Sequence, residues 1–432
     1  MKKKPNIILF ITHDQGQFLG CYNTPETPNS LYTPNLDKLA GSGIRFTNTF
    51  CTAPQCSPSR GSIQTSLYPH QNGLMGLTNR GWNLPESNKT LPMYMKELGY
   101  STHLVGLQHE TNFPEKLGYD TMSKRTKDYK YNINKIEKDF LQFIDTHESD
   151  KKPFYANFGT IETHRPFRAW ADPVDPEDVE VPPFLPDHEM IRKDLGEFYG
   201  TIEKVDVLIG KIIDKLEDTK ILDKTLFIYT TDHGSAFPRS KCTLYDPGIK
   251  TLLLMNLPSS ELFSGGKVYD QMLSNIDLLP TLVDLVSGKP PKNIEGESFF
   301  PLLKGKTNEF RNRIFAEKTY HELYDPIRCM RTKDFKMIYN FEPLDTLYQI
   351  PQDILKDLSG QYMKERYNYP RVTEELYDLE RDPNELINLA ENPEFEPIVG
   401  TLKKDLFNWM KYTNDPLLFG KIPKQRSASF TY

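Results

Sequence analysis

The chain has 432 residues, a net charge of -6 at pH 7, 38% hydrophobic residues and 26% charged residues. This balance is typical of a soluble globular protein with enough chain for two or three domains, and it excludes the strongly basic character of a nucleic-acid binder. No apolar run approaches the length of a membrane span, so we expect no membrane partner.

The five cysteines are too scattered for a disulfide framework. They lie at positions 21, 51, 56, 242 and 329, an odd number without a Cys-x-x-Cys pair. This spacing predicts neither paired disulfides nor a zinc site. The apolar run behind the lysine-rich N-terminus, residues 7–11, is too short for a signal peptide. We therefore expect a reducing, cytoplasmic location.

The predicted elements alternate between strands and helices. A continuous apolar run at residues 6–11 predicts a strand buried on both faces of a parallel sheet. Similar runs predict further strands at residues 101–105, 153–158 and 225–230. Helical patterns lie between them at residues 33–40, 91–98 and 199–216, and a further helix starts at residue 277. This alternation predicts an α/β fold, a sandwich of helices around a mainly parallel sheet.

The pattern changes after residue 305. Short segments at residues 329–332 and 335–339 read as antiparallel strands. We therefore predict two domains, a larger one at residues 1–320 and a smaller C-terminal α+β domain with a small antiparallel sheet at residues 321–432.

Four predicted strands stop at histidine or acidic residues. The residues at these strand ends are His13, Asp14, His109, Glu110, His164, Asp232 and His233. Ligands bind beyond the carboxyl ends of the strands in open α/β sheets, so we expect these side chains to converge. One such residue alone is more often an ordinary loop residue, but four of the nine histidines together indicate a site. Carboxylate oxygens and imidazoles suit a divalent cation.

A second motif, Cys-Ser-Pro-Ser-Arg, runs from Cys56 to Arg60. With this motif, the acidic strand ends and Thr-Pro-Asn-Leu-Asp at residues 33–37, the chain resembles the type I sulfatases of the alkaline phosphatase superfamily nearly end to end. Residues 56–76, with His-Gln-Asn-Gly at 70–73, look most like the heparan N-sulfatase (sulfamidase) branch and its bacterial relatives. The resemblance implies an alkaline-phosphatase-like sandwich, with the catalytic site in the larger domain.

The resemblance also implies a modified cysteine and a metal. Cys56 would be oxidised to formylglycine (3-oxoalanine) by a formylglycine-generating maturation enzyme, and its hydrated aldehyde would attack sulfur. One divalent ion, calcium by resemblance, would activate that nucleophile. The residues assigned to the ion are His13, Asp14, Cys56, Asp232 and His233.

The remaining catalytic roles follow from the same resemblance. Arg60 would hold the nucleophile and compensate its charge, and His109 would act as a base. His164 and Lys241 would bind sulfate oxygens and help to protonate the leaving group.

Two positions depart from the family pattern. His13 stands where the family usually has an aspartate, and with His233 it makes manganese or zinc an alternative to calcium. His13 itself either binds the metal, lies behind its ligands or binds substrate. Leu107 replaces a lysine that normally contacts the aldehyde and the sulfate, so either another cation replaces it or the substrate differs. The candidate cations are Lys124, Arg165 and Arg168.

Three functions compete on these grounds. The first is a sulfatase that hydrolyses O-linked or N-linked sulfate from a sulfated carbohydrate such as a glycosaminoglycan fragment. The second is a phosphonate monoester or phosphodiester hydrolase that uses the same formylglycine site. The third is a non-catalytic protein that binds sulfated glycans, and the intact motif from Cys56 to Arg60 argues against it. The sequence makes no prediction of the oligomeric state.

Overall fold

The computed structural model describes residues 4–25, 28–123, 133–169 and 171–425, in two sheets and the helices around them. The strands of the larger sheet are Asn6–Thr12 (β1), Ile44–Phe50 (β2), Ser101–Gly106 (β3), Thr121–Met122 (β4), Phe154–Gly159 (β5), Thr225–Thr231 (β6), Lys250–Asn256 (β7), Lys267–Tyr269 (β8) and Leu273–Ser274 (β9). The strands of the smaller sheet are Arg313–Tyr320 (β10), Tyr324–Thr332 (β11), Phe335–Asn340 (β12) and Glu374–Asp378 (β13). The helices are Pro34–Ser42 (α1), Cys56–Thr65 (α2), Pro69–Asn72 (α3), Leu91–Glu97 (α4), Ile133–His147 (α5), Glu189–Asp218 (α6), Asp246–Ile249 (α7), Leu278–Ser287 (α8), Phe300–Leu303 (α9), Gln352–Leu355 (α10), Leu358–Met363 (α11) and Glu396–Tyr412 (α12).

The larger sheet is mainly parallel, as the sequence predicts. Its strand order is β4-β3-β5-β1-β6-β7-β2-β8, and β9 pairs with β2. Strands β3, β5, β1 and β6 are adjacent and parallel, so their carboxyl ends lie along one edge of the sheet. Strand β7 runs antiparallel to both of its neighbours, β6 and β2. The sequence analysis predicted neither β2 nor β7.

Strand β1 lies between the two hydrophobic layers of the sandwich. Its alternate side chains point to opposite faces. Ile8 and Phe10 pack into a core with α1, α5 and α6, whereas Ile7 and Leu9 pack into a core with α4 and α8. Every residue of β1 is buried, which explains its unbroken apolar run.

Helix α6 is longer than the sequence predicts. The helical pattern indicated residues 199–216, but the helix begins at Glu189 and has 30 residues. Ile191, Leu195 and Phe198 extend its buried stripe toward the N-terminus. The added turns therefore pack on the same core as the predicted ones.

The smaller sheet is antiparallel and has one face on the larger unit. Ile314, Cys329 and Ile338 pack against Phe50 and neighbouring side chains of the larger unit. Met330, Met337 and Leu376 on the other face pack with α12. This confirms the α+β character of the C-terminal part.

The predicted domain boundary falls at the end of a strand. Strand β10 ends at Tyr320 and belongs to the smaller sheet, so that sheet includes residues on both sides of position 320. The division into domains at this residue stays a prediction. Within the described residues, no helix has the length and apolar character that a membrane crossing requires.

Candidate active site

Polar side chains from four parallel strand ends converge at one edge of the larger sheet. His13 and Asp14 follow β1, and His109, His164 and His233 follow β3, β5 and β6. The ring centroid of His13 lies 5.9 Å from that of His109, 4.8 Å from that of His164 and 6.4 Å from that of His233. The convergence expected from the sequence is therefore present.

Tight turns after β1 and β6 bring the two aspartates together. Asp14 has a left-handed backbone with φ of 52°, which short polar residues tolerate better than most. Its main-chain N–H donates to Asp232 Oδ1 at 2.9 Å. After His233 the chain needs a glycine, because a Cβ at Gly234 would lie 1.9 Å from the carbonyl oxygen of Pro247. Backbone geometry thus positions both carboxylates.

Five side chains form a compact, buried donor set, which we call the donor cluster. Its members are His13, Asp14, Cys56, Asp232 and His233, and one donor atom of each lies within 4.8 Å of the others. Asp14 Oδ1 is 2.8 Å from His13 Nδ1 and 2.9 Å from His233 Nε2. Cys56 Sγ is 3.4 Å from His233 Nε2, 3.6 Å from Asp14 Oδ1 and 3.7 Å from His13 Nδ1.

The chemistry of this donor set fits one divalent ion. Asp14 and Asp232 have no exposed surface, and two buried carboxylates at one point need positive charge nearby. Carboxylate oxygens suit calcium or manganese, and imidazole nitrogens suit manganese or zinc. The Nδ1 atom of His13 lies 2.8 Å from Asp14 and 3.5 Å from Asp232, so His13 is a candidate ligand of the ion.

Helix α2 positions both Cys56 and Arg60. Cys56 is its first residue, and Arg60 lies one turn later on the same face. Arg60 Nε donates to Asp232 Oδ2 at 2.9 Å, and its NH2 group donates to the carbonyl oxygen of Thr12 at 2.8 Å. The spacing of four residues in the motif thus places the guanidinium beside the donor cluster.

Lys241 and His164 lie on the outer side of the donor cluster. Lys241 Nζ donates to Asp14 Oδ2 at 2.6 Å and to Asp353 Oδ2 at 2.8 Å, and it lies 3.2 Å from His164 Nε2. His164 Nδ1 contacts the carbonyl oxygen of Arg165 at 2.6 Å, which orients the ring so that Nε2 faces Lys241. These two residues are therefore placed to contact an anion bound at the cluster.

His109 is buried beside the cluster. Its main-chain N–H donates to Glu110 Oε2 at 2.6 Å, and within the described residues its Nδ1 has no hydrogen-bond partner. Burial and the neighbouring His13 hold the pKa of His109 well below its usual range. A neutral imidazole with an unused nitrogen can accept a proton, as a base must.

The charges of the site follow from burial and close pairing. Burial alone would raise the pKa of Asp14, but Lys241 and the surrounding histidines lower it well below its usual value. Lys241 stays an ammonium, because Asp14 and Asp353 raise its pKa against the effect of burial. Burial and Lys241 lower the pKa of His164 to about 4, so this ring is neutral at pH 7. Burial and Asp14 raise the pKa of the Cys56 thiol, which keeps it protonated and poorly nucleophilic.

The two candidate replacement cations that the structure describes, Arg165 and Arg168, pair with carboxylates on α6. Arg165 donates to both oxygens of Asp194 at 2.7 Å, and the guanidinium of Arg168 pairs with Glu197. Leu107 is buried at its position after β3. The third candidate, Lys124, lies outside the described residues.

The sequence analysis missed Asp353. This residue lies on the four-residue helix α10. It does not follow a predicted strand, and no recognised motif includes it. It reaches the site only because the segment folds back onto Lys241, 112 residues earlier in the chain. No local signal in the sequence identifies it.

Comparisons with known proteins agree on one family. The sulfatase family model matches residues 5–288, and a second model, described as N-sulphoglucosamine sulphohydrolase, C-terminal, matches residues 236–368. A human N-sulphoglucosamine sulphohydrolase is 29% identical, over 95% of this chain and 91% of its own length. An ulvan-active sulfatase of Formosa agariphila is 32% identical, over 96% of this chain and 82% of its own length. A solved structure described as a complex with its substrate D-glucosamine-2-N,6-O-disulfate has a TM-score of 0.73 at 20% identity, over 96% of this chain and 99% of that one.

Proposed function

Because the chain belongs to the sulfatase family, we propose that it hydrolyses sulfate from a sulfated saccharide of the glycosaminoglycan type at the donor cluster. The observation that carries this proposal is the position of Cys56, whose sulfur lies between 3.4 and 3.7 Å from three candidate metal ligands. The substrates in the names of the human relative and of the solved complex, N-sulphoglucosamine and glucosamine disulfate, support an amino sugar. The comparisons give no support to the phosphonate or phosphodiester alternative.

The site needs two groups that the chain does not carry as synthesised. A divalent ion held by His13, Asp14, Asp232 and His233 would polarise sulfate oxygens, and Cys56 oxidised to formylglycine would supply the attacking hydroxyl. Calcium follows from the family, and the two imidazoles make manganese or zinc the alternatives. Maturation of Cys56 requires a formylglycine-generating enzyme as a partner.

The chain's own residues bind the sulfate and manage its charge. Arg60 and Lys241 each contact a donor-cluster carboxylate, and they compensate the negative charge that builds up on the transferring sulfate. Lys241 also carries a proton that it can donate to the leaving group. His164 is neutral at pH 7 and uses its one ring N–H at Nδ1 for the carbonyl oxygen of Arg165, so its Nε2 accepts a hydrogen bond. His109 accepts a proton at its unused nitrogen.

A single peptide tests the central claim. Trypsin releases residues 46–60, which contain both Cys51 and Cys56. Mass spectrometry of protein made together with a formylglycine-generating enzyme should show an aldehyde at Cys56 and an unmodified thiol at Cys51. The buried Cys51 thus serves as an internal control, since it lacks the motif.

Activity completes the test. The matured, metal-loaded protein should release sulfate from sulfated glucosamines, and the Cys56→Ala variant should release none. An aldehyde at Cys56 without sulfate release from any sulfated sugar would contradict the proposal. Tight binding of the sugars without turnover would favour the non-catalytic glycan-binding function. The cytoplasmic location expected from the sequence stays a prediction.

A further inference from the structure

Asp353 is a carboxylate on the open side of the sulfatase site. Its Oδ2 lies 2.8 Å from Lys241 Nζ and 3.6 Å from His164 Nε2. A quarter of its side chain is exposed, whereas Asp14 on the other side of Lys241 has no exposed surface. Asp353 is therefore the more exposed of the two carboxylates that contact Lys241.

A cavity lies beside helix α10, which carries Asp353. Its volume is about 290 Å³, close to the lower end of the roughly 300–1,000 Å³ typical of small-molecule sites. Gln352 and Leu355, the first and last residues of α10, line it together with His321 and Tyr367. Aromatic, apolar and polar side chains in one cavity can hold a sugar ring.

A carboxylate at this place is unfavourable for sulfate binding unless the substrate offers it a hydrogen. Asp353 is negatively charged, because Lys241 and His164 lower its pKa against the effect of burial. An ionised carboxylate only accepts hydrogen bonds. The nitrogen that links an N-sulfate to its sugar carries a hydrogen, whereas the bridging oxygen of an O-sulfate ester carries none. Two facing acceptors leave each other unsatisfied and repel.

We propose that Asp353 is a specificity-determining residue that selects N-sulfated over O-sulfated amino sugars by accepting a hydrogen bond from the scissile nitrogen. The inference rests on the proposed sulfatase function and names its substrate class. In the reaction the S–N bond breaks and sulfur gains an oxygen that derives from water. The nitrogen keeps the bonding electron pair, takes one proton from Lys241 and a second from solvent, and leaves as an ammonium. The products are a glucosamine cation and sulfate, and Asp353 pairs with the cation as it forms.

The test compares two sugars in one enzyme. Matured, metal-loaded wild-type protein and the Asp353→Ala and Asp353→Leu variants, which have no side-chain acceptor, are assayed on N-sulfoglucosamine and on glucosamine 6-O-sulfate. A hydrogen bond to a charged group contributes about 1.5–3 kcal/mol, so each variant should lower the ratio of the two kcat/KM values by roughly 10- to 150-fold. The ratio isolates specificity, because any disturbance of Lys241 or of folding affects both sugars.

Asp357→Asn is the matched control. This carboxylate lies in the same segment but pairs with Arg165 at 2.9 Å, away from Lys241. The control should leave the ratio of the two sugars unchanged. An unchanged ratio in the Asp353 variants, or a wild-type preference for the O-sulfate, overturns the inference while the sulfatase function stands.

Binding gives a readout that does not depend on turnover. In a Cys56→Ala background, calorimetric titration should show tighter binding of N-sulfoglucosamine than of the 6-O-sulfate, and Asp353→Ala should remove the difference. If the matured wild type hydrolyses neither sugar, the proposed function fails, and this titration still decides the role of Asp353. Equal affinities for the two sugars in the Asp353-intact protein count against it.

Discussion

Replacement of Lys241 by methionine is the sharpest perturbation of this site. The ammonium is buried and donates to Asp14 at 2.6 Å and to Asp353 at 2.8 Å. Methionine keeps most of the side-chain volume but removes the charge, so Asp14 stays buried with only neighbouring histidines and backbone to compensate it. Loss of one partner from a buried ion pair costs roughly 3–5 kcal/mol. We expect the free energy of unfolding of Lys241→Met to fall by that amount in metal-free buffer.

The assay is urea unfolding with and without a divalent ion. A bound ion supplies positive charge beside Asp14, so the variant should lose less stability in metal-loaded protein than in protein treated with a chelator. Lys241→Arg, which keeps the charge, should recover most of the loss. Removal of one donor to a developing oxyanion typically costs roughly 100- to 1,000-fold in kcat, and sulfate release by Lys241→Met should fall in that range. If Lys241→Met and wild type unfold at the same urea concentration without metal, the ammonium does not compensate Asp14 and the electrostatic account of the site is wrong.

Three further predictions concern pH, metal choice and the C-terminal sheet. Burial raises the pKa of Glu162 from 4.5 to about 7, so the stability that its protonated form contributes is present below pH 4.5 and is lost as pH rises through 7. In urea unfolding, the wild-type free energy of unfolding should fall by about 3 kcal/mol from pH 5 to pH 8 through this group, and Glu162→Gln should remove that fall. An identical pH dependence in wild type and variant would contradict the prediction. His13→Asp exchanges an imidazole for a carboxylate, so competition titrations should show a shift in affinity from manganese toward calcium, and an unchanged preference would exclude His13 as a ligand. Arg328 is fully buried and donates to Asp415 at 2.6 and 3.1 Å, so Arg328→Met should lower the free energy of unfolding by about 3–5 kcal/mol. The Arg80→Ala substitution, at an exposed ion pair, should lower it by less than about 1 kcal/mol. Similar losses in the two variants would refute the role of burial.

The comparisons confirm the family and the function that the sequence predicts. The prediction was possible because the motifs that carry it are formed by residues close together in the chain. The motif at Cys56 needs only helical spacing to bring Arg60 onto the same side of α2. The four histidines need only the rule that the carboxyl ends of parallel strands share an edge, and β3, β5, β1 and β6 are indeed neighbours. Both features depend on short stretches of chain whose backbone conformation sets where the side chains go.

Long side chains show where sequence reasoning stops. Arg165 is one of the three cations that the sequence offers in place of the missing lysine. In the structure its guanidinium makes a bidentate pair with Asp194 on α6, which the sequence could not indicate because the partner is 29 residues away. A flexible cation goes to the carboxylate that tertiary packing places in reach, and the identity of its neighbours in sequence has little influence.

By itself, the sequence determined the four parallel strands β1, β3, β5 and β6 and the residues that stand at their carboxyl ends. These follow from apolar periodicity and from the direction of parallel strands, both of which are local properties. Only the tertiary structure decided that Lys241 joins Asp14, 227 residues earlier in the chain, and that Asp353 also contacts Lys241. Contacts of this kind depend on how a segment without a regular pattern folds back onto the sheet, and the physical reason is that such a segment is positioned by its partners rather than by its own backbone preferences.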